Sequence, residues 1–216
     1  MILKKEIHIS IKVILPKSIG DKIWKLQKKS GLFYNPDKES YPHITIYASR
    51  FPKDAFTPLC KRLRSLKLQS FQSRIGKIKT RKEKINEKPF LYFDVENPAK
   101  FYALHVVILN TANSFRRGLI GGLDLQRVRN GKYSNREKLY VNKYGTNRAL
   151  KNFLPHITLG KRDKSEISGI KKVFKLFEKS PFKVEGMVVK SKLVEYKSAD
   201  YKIRESKVLY ETKIDF

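Results

Sequence analysis

The chain has 216 residues, 40% of them hydrophobic, enough for one domain with a sizeable core or two small lobes sharing one. No apolar run approaches the ~20 residues of a membrane span, and the N-terminal lysines are not followed by an apolar stretch of signal-peptide length. Cys60 is the single cysteine, which excludes an intrachain disulfide and Cys-based zinc sites. A soluble cytoplasmic protein is the simplest expectation. Lys and Arg number 48 against 20 Asp and Glu, a net charge of +28, and a surplus this large points to a polyanionic partner, RNA or nucleotide. Lysine-rich composition bias alone would not deplete the acids. Membrane-surface binding is disfavoured, because no single amphipathic helix collects the basic residues.

The elements follow in chain order. Residues 6–15 alternate, with Ile7, Ile9, Ile11 and Val13 on one face and His8, Ser10 and Lys12 on the other, the pattern of a half-buried strand. Residues 18–29 have helical spacing and stop at Gly31. A strand over 42–49, a helix over 52–66, strands over 71–80 and 90–95 and an apolar helix over 98–115 come next. A basic turn, 81–88, joins the two middle strands. The second half echoes the first: a strand over 153–160, a helix over 165–179, a long strand over 182–196 and a last strand over 208–214. The expected fold class is α+β: two pseudo-symmetric lobes, each a mainly antiparallel sheet with helices outside, and a cleft between the sheets.

Residues from about 116 to 151 interrupt this pattern with ten Lys or Arg against two acids, interleaved with Tyr133, Tyr140 and Tyr144. A segment of that length without strong periodicity is either a lid or binding loop, or a connection with no role. Arg116, Arg117, Arg127, Arg129, Lys132 and Arg136 are its densest candidates for gripping RNA.

Pro42-His43-Ile44-Thr45-Ile46 recurs as Pro155-His156-Ile157-Thr158-Leu159. From average residue usage, a chance match of these flanks at a given histidine is on the order of one in ten thousand. In a strand, residues i and i+2 share a face. His43 and Thr45 therefore point one way while Ile44 and Ile46 point into the core, and His156 and Thr158 repeat the arrangement. If the two lobes face each other, two imidazoles and two hydroxyls surround one volume. That set suits phosphodiester chemistry. One neutral imidazole takes a proton from the attacking oxygen, and one protonated imidazole gives a proton to the leaving ribose oxygen. The hydroxyls donate to the non-bridging phosphate oxygens. Neither a metal nor a cofactor is called for, and no clustered carboxylates or extra histidines are visible that would hold a metal.

Paired His-hydrophobic-Thr-hydrophobic motifs, one per lobe, resemble those of the 2H (two-histidine) phosphoesterases, and in particular their 2′-5′ RNA ligase or RNA 2′,3′-cyclic phosphodiesterase branch. The resemblance spans nearly the whole chain as a single bilobal domain. Ser191-Lys192-Leu193 followed by Tyr201 is similar, less specifically, to the family's closing strand and turn. The resemblance implies that His43 and His156 are the catalytic pair and that Thr45 and Thr158 hold the phosphate. It also implies a basic residue three positions after the second Thr, which falls on Lys161, whereas strand parity puts Arg162 on the cleft face. One of the two is expected there. His43 and His156 stand farther apart in sequence than in compact members, and 116–151 accounts for the excess.

Tyr47, two residues after Thr45, is expected on the cleft face, where a base could stack on it. Lys12 could meet phosphate if its strand neighbours that of His43. His8 and Ser10 share that condition, although polar surface is the simpler reading of His8, and His105, within an apolar helix, reads as a satisfied core histidine. The function expected is a metal-independent phosphodiesterase acting on RNA 2′,3′-cyclic or 2′,5′-linked ends. The alternatives are a hydrolase of small cyclic or 2′,5′-linked nucleotides, and a non-catalytic RNA-binding module, which four intact motif residues argue against. Nothing in the sequence fixes the oligomeric state, and a monomer is the simplest expectation.

Overall fold

The computed structural model describes residues 6–32, 41–81, 89–197 and 202–216, with backbone alone for 194–197 and 202–207. The chain runs β1 (Glu6–Ile14), α1 (Lys17–Lys29), β2 (His43–Pro52), α2 (Phe56–Arg64), β3 (Phe71–Arg81), β4 (Phe90–Val95), α3 (Pro98–Phe115), α4 (Gly122–Arg129), α5 (Asn135–Tyr144), β5 (His156–Lys161), α6 (Ile167–Phe174), β6 (Pro181–Val184), β7 (Gly186–Lys197) and β8 (Lys202–Asp215). Residue 201 and most of the 81–88 turn lie outside the described residues.

The strand order is β6-β3-β4-β5-β2-β1-β7-β8, and the paired strands run antiparallel. This is the expected α+β class, with four strands in each half. The two expected sheets are joined by one residue pair, Ile44↔Ile157, into a single eight-stranded sheet. The halves are also interleaved in sequence. β1 and β2 lie with β7 and β8, while β3 and β4 lie with β5 and β6. The duplicated unit is therefore β1–α1–β2 and β4–α3–β5, each ending in a motif strand beside the seam. The 116–151 insert occupies the connection that corresponds to the short link between α1 and β2.

The alternation in β1 does what its periodicity predicts. Ile7, Ile9 and Ile11 are fully buried, and His8, Ser10 and Lys12 lie on the more open face. Ile23 of α1, Leu59 and Leu63 of α2, Phe101 and Ile108 of α3 and Phe174 of α6 complete the core on the helix-covered side. The single strand expected over 182–196 is two strands, β6 and β7, which pair in different halves. The break falls at Gly186, where a Cβ would stand 2.6 Å from the Ile214 carbonyl oxygen. No helix among the described residues is long and apolar enough to cross a membrane.

The insert is folded rather than an open loop. α5 begins with a capping box, Ser134 with Glu137, and ends on Gly145 at φ 76°, a left-handed position that glycine fills without strain. Side chains of the sheet and α3 hold it in place. Tyr47 Oη donates to the Tyr144 carbonyl at 2.7 Å, Ser49 Oγ to that of Gly145 at 3.2 Å, and Arg50 Nε to that of Ile120. Arg116, expected to grip RNA, is only 3% exposed. Its guanidinium donates to the carbonyls of Leu119, Asn142 and Lys143, so it is the insert's internal brace. Tyr133, also buried, donates its hydroxyl to Asp124.

Candidate active site

Each histidine opens its motif strand beside the seam. The antiparallel register around Ile44↔Ile157 sets His43 across from Thr158 and Thr45 across from His156. Each imidazole thus faces the other motif's hydroxyl. His43 Nδ1 lies 2.7 Å from the Tyr41 carbonyl oxygen, and His156 Nδ1 lies 2.7 Å from that of Leu154. In both cases the acceptor is two residues upstream. A carbonyl only accepts, so Nδ1 carries the proton in each ring and Nε2 of the neutral form is left to accept one.

A β-bulge follows each motif threonine. Across β1 and β2, Ile11 opposes Tyr47 and Lys12 opposes Thr45, so Ile46 has no counterpart. Across β4 and β5, Leu91 opposes Gly160 and Tyr92 opposes Thr158, so Leu159 has none. The duplication extends to this irregularity, and the bulge carbonyls are satisfied in matching ways. His105 Nδ1 of α3 bonds the Ile46 carbonyl at 2.7 Å, and Gln27 Nε2 of α1 donates to that of Leu159 at 2.8 Å. Each helix serves the motif strand of the opposite half.

The bulges correct two parity expectations. Beyond Ile46 the alternation reverses, so Tyr47 borders the cavity but packs into the core with 2% exposure, and its ring is not open to a base. Beyond Leu159 the same reversal puts Lys161 opposite Phe90, on the face shared with Tyr92 and Thr158. Arg162 turns away. Its Nη2 donates to the Ser30 carbonyl at 2.5 Å, and its Nε lies 3.8 Å from Glu166. Lys12 stands opposite Thr45 on the same face as His43. His105 has both ring nitrogens engaged, since Leu150 N–H donates to Nε2 at 3.0 Å, and it stacks on Phe153 at 4.1 Å.

The structure adds residues that sequence spacing did not single out. Phe90 and Tyr92 meet the His156 ring edge-on, at 6.0 and 5.4 Å between centroids. Arg81 opposes Phe90 from β3. A cavity of about 300 Å3 takes in Thr45, His156, Thr158, Tyr92, Arg81 and, from the insert side, Arg127 and Arg148. His43 lies beside this cavity rather than in its lining. Burial, then the Lys12 ammonium and the charges on His156 and Lys190, push the His43 pKa down to about 3 against its bond to the Tyr41 carbonyl. His156 is lowered as well, by burial and then by Arg148 and Arg81, against its bond to the Leu154 carbonyl. Among the described residues no group of three or more His, Cys, Asp or Glu is placed to hold a metal ion.

No protein-family model and no curated protein sequence matches the chain. Solved structures match it in fold over nearly their whole length. TT0787 of Thermus thermophilus has a TM-score of 0.53 at 17% identity, covering 96% of this chain and 97% of that one. E. coli LigT in its apo form has a TM-score of 0.50 at 11% identity, covering 97% and 98%. A protein described as a phosphoesterase has 0.50 at 14%, covering 98% of each. The chain therefore has the α+β fold of E. coli LigT and of TT0787.

Proposed function

We propose that this protein is a 2H phosphoesterase that hydrolyses 2′,3′-cyclic or 2′,5′-linked phosphates at RNA ends. The observation that carries the reading is the duplicated site. Two imidazoles, each with Nδ1–H committed to a carbonyl, stand beside two threonines on neighbouring strands of one sheet. In this scheme one neutral imidazole accepts a proton at Nε2 from water, and the resulting hydroxide attacks phosphorus. The bond from phosphorus to O3′ of a cyclic end, or to O5′ of a 2′,5′ linkage, breaks, and that oxygen takes the proton from Nε2–H of the second, protonated imidazole. A 2′-phosphate is the product. Thr45 and Thr158 donate to the non-bridging oxygens as charge builds there. Lys12 and Lys161 add positive charge on the same face. The excess of cations favours RNA over a small nucleotide.

The test is hydrolysis of an oligonucleotide with a 2′,3′-cyclic end, run beside cyclic dinucleotides and in excess chelator. Opening of the cyclic end is expected to persist in chelator, because the imidazoles supply the proton transfers. His43→Ala and His156→Ala should each lower the rate roughly 10²–10⁴-fold, and Thr45→Ala or Thr158→Ala about 10–10³-fold. Near wild-type turnover by His43→Ala would sink the mechanism. Turnover of cyclic dinucleotides alone would favour the small-nucleotide reading.

A further inference from the structure

The cavity at the motifs continues past the reacting centre, and its far wall belongs to the insert. Gly121 at the cap of α4 and Gly122, Asp124 and Arg127 of that helix line it, with Thr146 and Arg148 from the segment after α5. A volume of about 300 Å3 is much more than a phosphate group needs, and it sits at the low end of the roughly 300–1,000 Å3 of small-molecule sites.

We infer that this wall is a subsite for the nucleotide next to the reacting phosphate, so that the preferred substrate is a dinucleotide or longer chain rather than a mononucleotide. The inference rests on the phosphodiesterase reading above and deepens it.

Two independent features point there. The first is charge. A cyclic mononucleotide carries one anionic group, which the imidazoles and threonines accommodate. Arg81, Arg127 and Arg148 line the same cavity, more guanidinium than one phosphate calls for, and planar guanidinium is well matched to phosphate oxygens. Asp124 offsets part of this charge, but it accepts the Tyr133 hydroxyl, to which Arg127 Nη1 donates at 3.3 Å. That network holds Arg127 in position. The second is apolar surface. Leu123 and Leu154 line the cavity yet are 55% and 45% exposed. With Phe90 and Tyr92 they offer a flat base a surface to cover, and burial of such surface favours binding. The wall is also preformed, because Tyr47, Ser49, Arg50 and Arg116 brace the insert through its carbonyls. Little ordering is then left to oppose binding.

The experiment measures equilibrium binding of uridine 3′-phosphate and of UpU 3′-phosphate at fixed salt. It compares wild type, Arg127→Gln/Arg148→Gln, and the control Lys172→Gln on the exposed face of α6. The wild type and the control should bind the dinucleotide about tenfold or more tighter, the scale of one charge-assisted phosphate contact. The double variant should bring that ratio close to one. Equal binding of the two probes by wild type, or a dinucleotide advantage that survives the double substitution, overturns the subsite. Turnover of the corresponding 2′,3′-cyclic phosphates is measured separately. A dinucleotide binding advantage with neither cyclic phosphate opened supports the subsite and removes the phosphodiesterase reading.

Discussion

His105 Nδ1 reaches the carbonyl oxygen of Ile46 at 2.7 Å. Ile46 is the extra residue of a bulge directly after Thr45, so its carbonyl is outside the sheet ladder and needs a partner of its own. Gln27 does the same for Leu159 after Thr158. The two donors come from corresponding helices, α3 and α1, yet each crosses to the other half's strand. Among the described residues the two halves of the sheet pair at one position, Ile44↔Ile157. These two hydrogen bonds therefore help fix the relative position of the motifs as well as the shape of each.

Removing either donor should act on stability and on the site together. His105→Ala leaves the Ile46 carbonyl and the Leu150 N–H without side-chain partners, and each such buried group costs about 1–3 kcal/mol. Gln27→Met keeps the volume but removes the donor to the Leu159 carbonyl, along with its longer bond to that of Thr158. Chemical denaturation should show the larger loss for His105→Ala. His105→Gln, which can both donate and accept, should recover part of it. Full stability and full activity in His105→Ala would mean that the bulge holds its form unaided.

Much of the site was legible in sequence because it lies in short-range pattern. The period-2 alternation of β1 gives its buried and open faces directly, and the repeated Pro-His-Ile-Thr gives the four motif residues. The bulges were not legible. An inserted residue has no composition signal of its own, although every side chain after it changes face. That is why Tyr47 and Arg162 were expected on the open face. The interleaving of the halves was hidden for a similar reason. β6 and β7 read as one strand, and what separates them is their choice of distant partners, β3 and β1. The insert's helices carried one readable sign, the Ser134-x-x-Glu137 box. Nothing local announced that Arg116 would brace it.

Lys161 and Arg162 are adjacent, but their substitutions should have different consequences. Lys161 shares the face of Thr158, so Lys161→Ala should lower kcat/KM on a cyclic phosphate with little change in melting temperature. Arg162 ties β5 to the end of α1 through the Ser30 carbonyl, and Gly31 makes room for it: a Cβ there would stand 2.3 Å from Nη2, at φ 57°. Arg162→Ala should therefore lower stability by about 1.5–3 kcal/mol, the range for a hydrogen bond to a charged group, and change kcat/KM less than Lys161→Ala does. Thermal melts and steady-state kinetics on the two variants separate these roles, and the reversed pattern would restore Arg162 to the site.

The pH profile should be displaced toward acid. Both imidazoles are lowered from their ordinary value, His43 to about 3. The form with one neutral and one protonated ring is then populated below the usual histidine value of roughly 6.5. In the free enzyme, kcat/KM should be bell-shaped with limbs that belong to the coupled pair, and its maximum should lie on the acid side of that value. Bound phosphate favours the imidazolium, so the kcat maximum should lie at higher pH. Lys12→Gln removes a charge that depresses His43 and should move a limb upward. Stability follows the same linkage. Between the lowered folded values and about 6.5 the unfolded chain binds more protons, so these groups leave stability intact above 6.5 and reduce it as pH falls toward 3. A kcat/KM optimum well above neutrality, unmoved by Lys12→Gln, would contradict this.

The final prediction concerns the +28 charge. The motifs hold the reacting phosphate and the insert wall its neighbour, so any steeper salt dependence needs further cations on the open face. That face has them on both halves. Lys190 and Lys192 stand opposite Ser10 and His8 on β7, and Lys79 and Arg81 stand opposite Tyr92 and Phe90 on β3. Lys190 and Lys79 also pair with Glu211 at 2.9 Å and Asp94 at 2.5 Å, which holds them in place and reduces what each gains from a phosphate. For single strands each neutralised phosphate contributes about −0.7 to the slope of log K against log salt. An RNA of ~15 nucleotides should therefore show a slope steeper by about 0.7 for every phosphate it contacts beyond those of a mononucleotide. Lys79→Gln, Lys190→Gln and Lys192→Gln together should flatten the slope for the long RNA. Lys171→Gln and Lys172→Gln on α6, away from that face, should leave it unchanged. Fluorescence anisotropy across a salt series measures both slopes. If the mononucleotide and the long RNA share one shallow slope, the charge is a solvated surface, and the RNA reading loses the support that is independent of its histidines.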